Sequence, residues 1–400
     1  MWGYASKHLS AFMPVPAKLS TSGFATRLSA YYAASFLVIG VQMPFFPVWL
    51  DAKGLDAAAI GLILAAPAFV RIAAVPLLTR IADRYGALRE VLILASFVAA
   101  AGYLGVGLSH GALAILIAVS LASIAFTPIF ALSDALALKG LKLHGGSYGS
   151  IRLWGSAAFI AANLGAGLLL DEIEPVHLIW VIAACAIVAA LVSLWIVPLQ
   201  KTVPSAVDAP SAPPLWRNPA FLSVIAAAAL IQSSHAMYYG FSTIDWKAAG
   251  FDGVAIGLLW AIGVIAEIGL FAVSGRLPPA FTPQVLLMVG AAGGLVRWGA
   301  LALDPPGWSL PLLQCLHAAT FGATHLGLIG YIAHHAPERF SATAQGYFAI
   351  LSGLLLGIAT GLAGFLYERL GGAGYAGMAI VAAIGGVVLF AARTKWKASF

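Results

Sequence analysis

The sequence predicts an all-α membrane protein of twelve spanning helices, arranged as two six-helix bundles. Three observations carry this. Of 400 residues, 61% are hydrophobic and only 9% are charged, against roughly 25% charged in a soluble domain. The apolar residues come in continuous runs rather than in the alternation of a membrane barrel. Most runs have about the 20 residues that a helix needs to cross a bilayer, and a proline-rich stretch divides them into two equal sets.

Residues 1–27 open with "MWGYASKHLSAFMPVPAKLS". This stretch lacks the basic, apolar and small-residue regions of a signal peptide and reads as a cytoplasmic tail. The N-terminal bundle, 28–199, has spans expected at 28–50, 57–79, 91–109, 111–138, 148–170 and 175–198. Short charged or Pro/Gly breaks separate them. Residues 200–218, "QKTVPSAVDAPSAPPLWRN", are rich in proline and small polar residues and form the linker. The C-terminal bundle, 219–393, has spans expected at 219–245, 253–275, 283–303, 308–333, 341–368 and 373–393, and 394–400 is a second cytoplasmic tail.

The basic residues test this count. Lys and Arg together number 21. With both termini in the cytoplasm, only Lys53, Lys247 and Arg369 fall in outer loops, and only Arg71 and Arg297 fall inside spans. All the others lie on the cytoplasmic side, as the positive-inside rule requires. An error of one helix would scramble the pattern beyond it. The net charge of +6 is therefore a topology signal, and no nucleic-acid partner is expected. The two cysteines, Cys185 and Cys315, lie in apolar runs and are expected as free thiols packed like small hydrophobes.

Charges within spans are the functional signal. Each costs about 2.5–3.5 kcal/mol at the bilayer centre on insertion scales. Arg71, Asp134, Glu267 and Arg297 stand well inside, and Arg152 stands near the start of the fifth span. Such groups persist where they face a wet cavity or pair with one another. By depth, Asp134 and Arg152 are partners in the cytoplasmic half. Glu267 and Arg297 both lie near the midplane. Three histidines, His235, His317 and His325, also lie mid-span. His317 and His325 are eight residues apart, about 80° around a regular helix, and need not share a face. Three arginines against two carboxylates leave a cationic midplane, suited to an anionic substrate that an arginine grips bidentately. Tyr31, Tyr32, Trp154, Tyr238, Tyr239 and Trp260 are candidates for an aromatic wall. No HExxH or phosphate-loop motif occurs, so no enzyme, cofactor or metal site is expected.

Several stretches resemble the major facilitator superfamily, and within it the sugar–proton symporters of the lactose permease type. These are "MPFFPVWL" (43–50), "RIADRYGALR" (80–89), "YGSIRLWGS" (148–156) and "RFSAT" (339–343). Asp83, Arg84 and Gly86 match the superfamily's conformational loop, with Thr79 and Leu88 as departures. The resemblance implies two six-helix bundles that rock around a midplane site. It carries substrate binding onto Asp134 and Arg152, 18 residues apart, and proton coupling onto Glu267, Arg297 and His317. One departure stands out: the family's proton-carrying glutamate is replaced here by Thr320.

"RLWGSAAF", "HAMYYGFSTIDWKAAG", "GLVRWG" and "THLGLIGYIA" resemble the bacterial phenylpropionate permease group more closely. That implies a proton-driven importer of an aromatic carboxylate in the bacterial inner membrane, functional as a monomer; a sugar or nucleoside symporter is the alternative. Arg71, Trp154, His235, Tyr238, Tyr239 and His325 complete the expected substrate-binding set.

Overall fold

The computed structural model describes residues 21–199, 217–336 and 341–393, all of them helices and short connections. Most of the two expected tails, most of the linker and the start of "RFSAT" lie outside the described residues. The first half comprises α1 (Thr21–Ala52), α2 (Ala57–Tyr85), α3 (Leu88–Leu108), α4 (Ala112–His144), α5 (Tyr148–Glu172) and α6 (Pro175–Ser193). The second comprises α7 (Pro219–Ala248), α8 (Gly253–Arg276), α9 (Pro283–Leu301), α10 (Gly307–His335), α11 (Ser341–Leu370) and α12 (Tyr375–Ala392). α1 begins at Thr21, inside the stretch read from sequence as tail.

Local chemistry sets the helix ends. Asp56 caps α2 by accepting from the Ala59 amide at 2.7 Å, and Asp252 caps α8 by accepting from Ala255 at 2.7 Å. Pro219 and Pro283 occupy first turns, where a missing N–H costs nothing. Gly86 ends α2 at φ +59°, a left-handed position that favours glycine. Its neighbour Arg89 donates to the carbonyls of Ile196 and Leu194, which ties the α2–α3 loop to the end of α6. α11 and α12 form one apolar stretch of 50 residues broken at Gly371. Tyr347 and Leu351 of α11 pack in the same cluster as Val388 and Leu389 of α12. The chain therefore folds back, and twelve crossings result.

Three interruptions matter for the site. α4 bends at Thr127–Pro128, and α7 breaks at Ser234–His235. α10 widens into a π-type turn over Ala318–Ala323. Such turns cluster at functional positions because they re-aim side chains.

α1 packs on α5 and α6, and α3 on α4 and α6; α7 packs on α11 and α12, and α9 on α10 and α12. The halves meet along two main seams, α2 on α11 and α5 on α8. One apolar cluster crosses between the halves, joining Phe45, Trp49 and Ile60 with Tyr238, Phe241, Trp260 and Trp298. It lies at the end of the bundle away from Thr21 and Arg393, here termed the far end. At the opposite, terminal end each half has a separate cluster, around Tyr31 and Leu132 in one and around Phe221 and Tyr331 in the other. The molecule is thus closed at the far end and divided at the terminal end.

Cys315 departs from expectation. It is exposed, on an apolar crevice of about 250 Å³ bordered by Leu270, Leu286, Val289 and Ala319. Gln314 and His317 of α10 are buried, while Leu312 and Cys315 beside them in the chain stand on the outer wall.

Candidate functional site

Arg297 of α9 is fully buried and organises one half of the site. One terminal nitrogen donates to His317 Nδ1 at 3.2 Å and to Thr320 Oγ1 at 3.2 Å; the other donates to Gln314 Oε1 at 2.6 Å. Its Cζ lies 4.6 Å from the ring centres of both Tyr238 and Trp298, a cation held between two aromatic faces. No carboxylate forms an ion pair with it among the described residues.

An arginine only donates, so hydrogen-bond directions follow. His317 Nδ1 must accept, which places its proton on Nε2, 3.3 Å from Glu267 Oε2. Neutral His317 thereby links the guanidinium of α9 to the carboxylate of α8. A second arm runs the other way. The Gln232 carbonyl, 3.0 Å from His235 Nδ1, can only accept. His235 Nε2 therefore accepts from the Thr320 hydroxyl at 3.0 Å, while the same Thr320 oxygen accepts from Arg297. Thr320 occupies the position of the missing acid as a relay between arginine and histidine.

Thr320→Ala would leave His235 Nε2 and one arginine donor unsatisfied in a buried site, each costing about 1–3 kcal/mol. The expected outcome is an apparent melting midpoint lower by several degrees in detergent, measured beside a conservative Thr320→Ser that restores it.

The sequence placed His317 and His325 about 80° apart. The π-type turn brings them into line instead: His317, Phe321 and His325 stack in series, with centroids 5.3 Å and 6.3 Å apart. His325 and, from the other half, Arg152 lie within Coulombic reach of Glu267. His235 stacks on Tyr239 at 5.5 Å, and Tyr238 meets Trp260 at 4.5 Å. The "HAMYYG" residues are thus assembled around Arg297.

The first half corrects one expectation. Asp134 and Arg152 do not pair. Asp134 Oδ1 accepts from the Tyr32 hydroxyl and from Tyr148 at 2.9 Å. Arg152 lies instead with its Cζ 4.1 Å over the Phe36 ring. The reason is register: Tyr148 and Arg152 are one turn apart on α5, as Tyr32 and Phe36 are on α1. The phenols therefore meet the carboxylate at one level, and the guanidinium meets an aromatic face at the next.

Phe36 continues edge-to-face into Phe130 at 5.4 Å, and Phe130 into Phe126 at 5.7 Å. Trp154 is a second correction. It is 59% exposed and about 180° around α5 from Asn163, the residue that abuts α8. It faces away from the gap between the halves. Arg71 is exposed on the same face of α2 as Leu64, which reaches α7 at Gly240. Asp83, Arg84 and Gly86 sit at the terminal end of α2, apart from both clusters, where they shape the α2–α3 connection.

Sequence reading missed Gln314, Trp298 and the Phe36–Phe130–Phe126 series. Gln314 carried a signal, being polar in an apolar run one turn before His317. The phenylalanines carried none, since apolar side chains in apolar helices look alike whichever way they face.

The MFS_1 like family model matches residues 25–382. The "Probable 3-phenylpropionic acid transporter" of Escherichia coli K12 is 33% identical over 365 residues, 89% of this chain and 94% of that one. The "Maltose permease" of Geobacillus stearothermophilus is 30% identical, over 85% of this chain and 86% of that one. Among solved structures, the nucleoside transporter NupG (D323A mutant) superposes with a TM-score of 0.82 at 16% identity, covering 93% of this chain and 99% of its own. A bacterial homologue of the lysosomal transporter Spinster, in an inward-facing and occupied conformation, gives 0.72 at 14% identity, covering 95% and 97%.

Proposed function

This chain belongs to the MFS_1 like family and is a multi-pass membrane transporter rather than an enzyme, and from that premise we propose that it imports a small aromatic carboxylate by proton symport. The observation that carries the substrate class is the Arg152 guanidinium 4.1 Å over Phe36, at the head of the Phe36–Phe130–Phe126 series. No carboxylate pairs with Arg152 or with Arg71 among the described residues. A carboxylate meets the free guanidinium bidentately while its ring packs on phenylalanine faces. The relative named for 3-phenylpropionic acid supports the same class.

Proton coupling rests on the Arg297–His317–Glu267 line. Its two ends carry opposite charge, and Glu267 is the end within Coulombic reach of Arg152 in the other half. A proton on Glu267 removes one charge from the interface that must close during reorientation. The one-sided distribution of basic residues supports a cytoplasmic terminal end, an inward-facing conformation and residence in a bacterial inner membrane.

The experiment is uptake of labelled 3-phenylpropionate into proteoliposomes under an imposed inward proton gradient. Accumulation that collapses with a protonophore is the expected result. Arg152→Gln should raise KM by at least about tenfold, the weight of one charge-assisted hydrogen-bonded pair. The maltose permease relative favours a second reading, a sugar symporter. Competition by maltose and indifference to aromatic acids would establish that reading and sink the first.

A further inference from the structure

The α5–α8 seam closes the far end backbone to backbone. A Cβ built on Gly253 would lie 2.1 Å from the Gly167 carbonyl oxygen, and one on Gly257 would lie 2.7 Å from that of Asn163. Asn163, Gly167 and Asp171 recur every four residues on α5 and present one stripe to Gly253 and Gly257. Small residues at such a stripe let two helices approach closely. Asp171 at its rim makes a hydrogen bond across the halves: its Oδ1 accepts from the Gly253 amide at 2.7 Å.

We propose that Asp171 is the latch of the far gate, holding the first turn of α8 against α5. Gly253 is the first residue of α8, where the backbone amides have no helical acceptor and the helix dipole favours an anion. Asp252 occupies the neighbouring Ala255 amide, so the Gly253 amide is the one that a partner from the other half satisfies. Glycine at 167 and 253 brings the amide within bonding distance of the carboxylate, and Asp171 supplies the charge that makes the bond strong. α8 then carries two functions on one rigid element: the latch at its start and Glu267 about 21 Å along it. The purpose of the latch rests on the transport reading, since a gate serves a carrier; its existence does not.

The test reads the gate directly. With Cys185 and Cys315 replaced by serine, spin labels go on Ala52→Cys and Ala249→Cys, both exposed at the far end on opposite halves. Pulsed dipolar distances are taken on purified protein without substrate or proton gradient, so a failure of the symport reading leaves the result standing. The unmodified carrier should give mainly the short, closed distance. Asp171→Ala should raise the longer, open population about tenfold, the weight of a hydrogen bond to a charged group. Asp171→Asn should fall between, because its amide oxygen still accepts from Gly253. Gly257→Val, whose side chain meets the Asn163 and Leu164 backbone rather than the carboxylate and so wedges the seam, verifies that the reporter pair senses opening. An Asp171→Ala distribution superimposed on the unmodified one, while Gly257→Val opens, overturns the latch.

Discussion

Glu267→Gln should abolish uphill accumulation while leaving exchange of substrate across the membrane intact. Glutamine keeps the size and the acceptor that His317 Nε2–H meets at 3.3 Å, so the cluster should hold its shape. It cannot gain or lose the proton. The tautomer of His317 is fixed by Arg297, and Thr320 has no acid to offer in its stead. The accumulation ratio under an imposed gradient should fall to about one, since no driving ion is then linked to the substrate. Counterflow, which needs only binding and reorientation, should continue. The pH dependence of counterflow should flatten as well. Undiminished accumulation by the variant across the pH range would remove Glu267 from the coupling role.

Arg297→Met separates function from stability. The guanidinium is fully buried and has neutral partners, His317, Thr320 and Gln314, with two ring faces. A buried charge without a counter-ion bears a desolvation cost that methionine relieves, and this offsets the acceptors of His317, Thr320 and Gln314 that lose their donor. Transport should drop by about two orders of magnitude, because two charge-assisted hydrogen bonds worth about 1.5–3 kcal/mol each no longer order the relay. The melting midpoint should stay level or rise. A variant that transports normally, or that loses activity only because it unfolds, would make Arg297 a structural residue.

The fold was legible because the bilayer leaves few solutions. Continuous apolar runs have to be helices, and the one-sided distribution of Lys and Arg fixed their number. The last two spans, expected at 341–368 and 373–393, form one apolar helical stretch over Thr343–Ala392, and Gly371 and the cluster shared by Tyr347 and Leu389 mark its fold-back into two crossings.

The site was legible where charge was involved. Glu267, Arg297 and His317 stood out because a charged or titratable group in hydrocarbon requires a reason, and all three meet. Pairing was less secure. Depth alone suggested Asp134 with Arg152, yet two phenols one turn away outcompete the guanidinium for that carboxylate. Trp154 shows the same limit, since one residue of rotation, about 100°, separates a lining position from an outer one.

By itself, then, the sequence determined the twelve crossings and the identity of the costly residues, because each follows from one-dimensional transfer energetics. Only the tertiary structure decided who meets whom. The break at Ser234–His235 and the π-type turn at Ala318–Ala323 rotate His235, His317 and Thr320 onto Arg297, and glycines at 167 and 253 let Asp171 reach the other half. Those outcomes depend on helix rotation and close backbone approach, which no periodicity in an apolar run records.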